Sequence, residues 1–103
     1  MSIVISKIDE AIQLIDTNTE LFYQNKTDEG YKHLDYTLVR VSEAIEEVIK
    51  YQDKSGQDIK GEKIVGILTE AMKALEKKDT SLLADILQYE LKEIFEDVRS
   101  ELL

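Results

Sequence analysis

The 103 residues, 43% hydrophobic and 34% charged, make one domain's worth of chain, with enough apolar side chains for a buried core. Twenty-two acids against 13 bases give a net charge of −9, and the lysines are scattered among the acids, so phosphate backbones and anionic lipid surfaces are disfavoured partners. Cysteine is absent, which excludes disulfide scaffolds, thiol nucleophiles and cysteine-held zinc or iron–sulfur centres; proline is absent too, so little interrupts long helices.

The first segment places Val4, Ile8, Ala11, Ile12, Ile15 and Phe22 on one arc, with Leu14 and Leu21 at its border and Asp9, Glu10, Asp16 and Glu20 on the other side. This predicts an amphipathic helix over about residues 3–24, capped by Ser2 or Ser6. Asn18 falls inside the apolar arc. It is expected either to pair across the bundle, fixing register or oligomeric state, or to keep its amide in water at an edge. The stretch NKTDEG at 25–30 breaks the pattern, with Thr27 or Asp28 as the next cap. Tyr31, Leu34, Leu38, Val41, Ile45 and Val48 then follow at alternating spacings of three and four, a helical seam running to about Asp53.

KSGQDIKG at 54–61 is the second break, with Gly56 as a helix stop and Asp58 as the following cap. The third helix carries Ile64, Ile67, Leu68, Ala71, Met72 and Leu75, with Gly61 on the same face, and ends near Lys78. Asp79, Thr80 and Ser81 supply a tight turn and cap. The fourth helix, over about 81–101, turns Ala84, Leu87, Leu91, Ile94, Phe95, Val98 and Leu102 inward. Four helices on short links predict an all-α, up-down-up-down antiparallel four-helix bundle occupying 1–103 as a single domain. The halves echo each other at an offset of 50, as in Glu46-Glu47-Val48 and Glu96-Asp97-Val98. Two similar helical hairpins would explain this, but the matches are few enough for chance.

Little in the sequence points to a reaction. Carboxylate-bridged di-metal sites in helical bundles need Glu-x-x-His pairs. The single histidine, His33, follows Gly30 at that spacing and lies off the apolar seam, so it reads as a surface side chain. Glu43-Ala-Ile-Glu46 and Glu76-Lys-Lys-Asp79 resemble the Glu-x-x-Glu and Glu-x-x-Asp pairs with which the all-α nucleotide pyrophosphohydrolases hold magnesium against a nucleotide's phosphates. Here the second pair sits at a helix-ending turn, and no basic cluster is placed for the phosphates. Solvated helix faces and a capping turn are the preferred reading, and magnesium-dependent pyrophosphohydrolysis is the alternative. No Gly-x-Ser-x-Gly turn or phosphate loop is present. No catalytic, cofactor-binding or metal-binding residue is assigned, and no cofactor is expected.

The functional clue is surplus apolarity on the fourth helix. Leu82, Ile86 and Tyr89 are spaced four then three and share a face roughly opposite Ala84, Leu91 and Phe95, so they are expected to be partly exposed as partner-binding anchors. Asp85, Glu93, Glu96 and Asp97 form a solvated side, with Glu96 paired to Arg99. The expectation is a non-catalytic, adaptor- or chaperone-like module that binds another protein or itself as a homodimer, with no nucleic acid and no membrane; a structural homo-oligomer with no other ligand is a further alternative. In size, acidity and helical build it is similar to small bacterial export chaperones. With no leader pattern in MSIVISKIDE and no apolar run near the ~20 residues of a membrane span, a cytoplasmic, most simply bacterial, location is expected.

Overall fold

Each break in the apolar periodicity is a turn, and each periodic stretch is a helix. The computed structural model describes residues 2–103. Helix α1 spans Ser2–Tyr23, α2 Thr27–Ser55 and α3 Gly61–Glu76; α4 runs on through Thr80–Asp85, a π-helical stretch Ile86–Leu91, and Lys92–Leu102. Cross-helix partners give the topology. Along α1 and α4, Tyr23 pairs with Asp85, Thr19 with Gln88, Asp16 with Lys92 and Asp9 with Arg99, so one number falls as the other rises. Helices α1 and α2 pair likewise, Lys7 with Glu43 and Phe22 with Tyr31. Gln52 meets the start of α3, and the Tyr31 hydroxyl meets Thr80 at the opposite end, 2.7 Å away. The result is an antiparallel four-helix bundle.

The turns are built differently from the sequence expectation in several places. Lys26, not Thr27 or Asp28, is the N-cap of α2 and offers no side-chain cap; Asp28 and Glu29 instead lie in the first turn, where the helix dipole favours acids. Ser6 is interior to α1 and caps nothing, and the alternative cap, Ser2, has its side chain outside the described residues. Gly56 does end α2, at φ 73° with its N–H on the Gln52 carbonyl. The start of α3 is capped from another helix: the Gln52 side-chain oxygen accepts from Ile59 N at 3.0 Å and Gly61 N at 3.1 Å, whereas Asp58 accepts only from Lys60 N. Asp79 caps α4 as expected, accepting from Leu82 N at 3.1 Å. Both hairpins close through three-residue links, 24–26 and 77–79, with a left-handed central residue, Asn25 or Lys78. Those two residues lie 53 apart (78 − 25), so the residue matches at 50 do not superimpose the turns.

The expected core residues of α1, α2 and α4 are buried or half-buried, joined by Ile59, Ala74, Leu83 and Ile86. Met72, expected inward on α3, is 38% exposed. At the α1–α2 seam the fill is polar and small. Asn18, 1% exposed, donates from Nδ2 to the Gly30 carbonyl at 3.0 Å and accepts from the Thr37 hydroxyl at 2.6 Å. Its amide is thereby committed within one chain and fixes register between α1 and α2. Gly30 is tight against the Phe22 ring: a Cβ there would stand 2.5 Å from Phe22 Cε1.

The π turn of α4 has a cause in the sequence. Leu83, Leu87, Leu91 and Phe95 are all buried and lie four apart. In a helix of 3.6 residues per turn each step of four overshoots a full turn by about 40°, so the row would drift about 120° off the core. One i→i+5 turn takes in an extra residue and resets the row. The Lys92 N–H accordingly bonds the Leu87 carbonyl.

Candidate protein-recognition site

The reset changes which α4 residues face outward. Ile86, expected to be an exposed anchor with Leu82 and Tyr89, is 4% exposed and belongs to the core. A regular helix would have put it on the face roughly opposite Ala84, Leu91 and Phe95; the π turn that begins at Ile86 rotates the first half of α4 relative to the second and carries this side chain inward. Leu82 and Tyr89 remain outside, 46% and 64% exposed. The exposed set thus loses Ile86, and a residue of α1, Tyr23, joins it at 47% exposed.

Tyr23 is held to α4 by its hydroxyl, which donates to Asp85 Oδ1 at 2.6 Å. Burial of the phenol's environment, the bond to Asp85 and its charge, and the nearby Tyr89 push its pKa above the usual tyrosine value. Tyr89 is a ridge between two grooves. The one between α1 and α4, about 380 Å³, has Asp16, Glu20, Tyr23 and Gln88 among its walls. The one between α3 and α4, about 210 Å³, is lined by Glu90, Glu93 and Asp97 against a single base, Lys63.

The charges on α4 are uneven. Its two basic side chains are both committed to α1: Lys92 to Asp16 at 2.8 Å and Arg99 to Asp9 at 2.6 Å. The bond to Asp16 is the main cause of the raised Lys92 pKa, with burial opposing it and the charges of Asp16 and Glu96 adding to it. The expected Glu96–Arg99 pair does not form, because Arg99 turns to Asp9 instead. Glu101 meets Lys60 of the α2–α3 link at 3.3 Å. Among the described residues Glu90, Glu93, Glu96 and Asp97 have no basic partner at ion-pair distance.

Three of the four acids of the pyrophosphohydrolase-like pattern, Glu43, Glu46 and Asp79, are separately occupied. Both Glu43 oxygens accept from Arg40 Nη1, at 2.7 and 2.8 Å, and Lys7 adds a bond at 3.1 Å. The bonds from Lys7 and then Arg40 hold the Glu43 carboxyl below its usual pKa. Glu46 pairs with Lys50, and Asp79 caps α4. Among the described residues no three of His, Asp and Glu gather where a metal ion would sit. His33 is exposed on α2. Among the described residues no helix is long and apolar enough to cross a membrane.

A family model matches residues 4–101, and the chain belongs to that family, described as "Domain of unknown function (DUF8042)". No curated protein and no solved structure matches it.

Proposed function

We propose that this chain is a non-catalytic protein-recognition module that docks another protein on the outer face of α4, with Leu82 and Tyr89 as anchors and Tyr23 beside them. One observation carries the reading: Tyr89 is 64% exposed on a ridge between two acid-lined grooves. A tyrosine presents an apolar ring with a wet hydroxyl and loses little rotamer freedom on contact, and such residues anchor interfaces. Ile86 is not an anchor; its place is in the core.

Site-specific photo-crosslinking in the native cell tests the proposal. A benzophenone side chain at position 89 is expected to give one discrete heterologous adduct, and the same probe at Thr69, exposed on α3, is expected to give none. Equal, diffuse labelling from both positions would remove the site. An adduct with a second copy of this chain would replace heterotypic recognition by self-assembly.

A further inference from the structure

The identity of the partner's contact face follows from charge, and this step rests on the recognition face proposed above. We infer that the occupant of that face is a basic amphipathic helix contributed by another protein. Leu82 and Tyr89 are seven residues apart on α4, with the start of the π turn between them. An amphipathic helix laid across this face would cover the exposed anchors with its apolar side. Tyr23, fixed by Asp85, lies alongside α4 at a height between the two.

The rim then selects the sign. Glu90, Glu93, Glu96 and Asp97 lack ion-pair partners among the described residues, because α1 takes both bases of α4. Lys63 is the one base lining the α3–α4 groove. A chain of net charge −9 already repels acidic partners at a distance. Lysine or arginine residues flanking the partner's seam would complement these carboxylates. An arginine entering the α1–α4 groove would find Tyr23, Tyr89 and the Glu20 carboxylate among its walls.

Three synthetic 18-residue peptides test this by fluorescence anisotropy at physiological salt: a leucine-seamed helix flanked by Lys and Arg, the same seam flanked by Glu, and a scrambled peptide with the basic composition but no seam. The basic amphipathic helix is expected to bind at least tenfold more tightly than either control. Leu82→Ser with Tyr89→Ser, and separately Glu93→Lys with Glu96→Lys and Asp97→Lys, should each weaken it about tenfold. An equal charge reversal elsewhere, Asp35→Lys with Glu46→Lys and Glu70→Lys, should weaken it much less. Circular dichroism confirms that each variant keeps its fold. If the scrambled peptide binds as well, or the distant reversal costs as much, the attraction is unspecific and the inference fails. If the acidic helix binds as tightly through Tyr89, the basic partner is wrong while the recognition face survives. If no peptide responds to the Leu82/Tyr89 change, both fail. A dimer in sedimentation that this change dissolves would make the occupant a second copy and also overturn the inference.

Discussion

The α1–α2 seam and the outer face of α4 invert the usual placement of residue types. The seam buries Asn18, Thr37 and Gly30; the α4 face leaves Leu82 and Tyr89 in water. At the seam, the polarity of Asn18 is tolerated because its amide is matched on both sides, by the Thr37 hydroxyl at 2.6 Å and the Gly30 carbonyl at 3.0 Å. On α4, apolar side chains stand outside because the π turn has already supplied the core with its row of Leu83, Leu87, Leu91 and Phe95. Hydrophobicity alone misplaces residues in both regions; hydrogen-bond matching decides the first, and backbone register decides the second.

The sharpest way to break this contrast is within α4 itself. Ile86→Ala should cost about 2–5 kcal/mol in equilibrium unfolding, as for other core truncations, while Leu82→Ala should stay within about 0.5 kcal/mol of the parent. Equal losses at both positions would mean that the π turn does not separate them. At the seam, Gly30→Ala should destabilise by about 1–3 kcal/mol, since Phe22 must move to admit the methyl group. Asn18→Leu should cost a similar amount, about 1–3 kcal/mol, by stripping a partner from Thr37 and Gly30.

Smaller effects sharpen the same comparison. A methyl group added at Gly66, on the exposed side of α3, would meet nothing within 4 Å, so Gly66→Ala should stabilise by roughly 0.5–1 kcal/mol through helix propensity. The same chemical change would thus have opposite signs at positions 30 and 66. The smallest effect is pH-linked. The folded-state pKa of Glu43 is lowered by Lys7 and Arg40. Its contribution is therefore present above the usual carboxylate range and lost as pH falls from there through the lower folded value. Glu43→Gln should flatten that part of the acid limb of a stability–pH curve and leave the neutral region almost unchanged.

Periodicity carries most of the fold. Val41, Val48, Phe95 and Val98 sit where three-and-four spacing puts them, and Gly56 and Asp79 end and begin helices as their chemistry requires. What periodicity misses depends on tertiary context. Ile59 lies in a link with no periodicity to reveal its burial, and Gln52 caps α3 from nine residues upstream of Gly61. A uniform 3.6 residues per turn misplaces Ile86; the unbroken fours at Leu83, Leu87, Leu91 and Phe95 are the available signal for a π turn. Of the proposed face, Leu82 and Tyr89 are legible as surplus apolar residues. Tyr23 is not, because its place beside α4 depends on the antiparallel register that brings it to Asp85.

The most direct test of the recognition face is covalent footprinting by hydroxyl radicals, read by mass spectrometry, on the purified chain and on the same chain in extract of its native cell. Tyr36, 50% exposed on α2, is the internal standard. The account predicts that Leu82 and Tyr89 react freely in the purified chain at low concentration and become protected in extract, while Tyr36 labels equally in both. Unchanged labelling of Leu82 and Tyr89 in extract would contradict it.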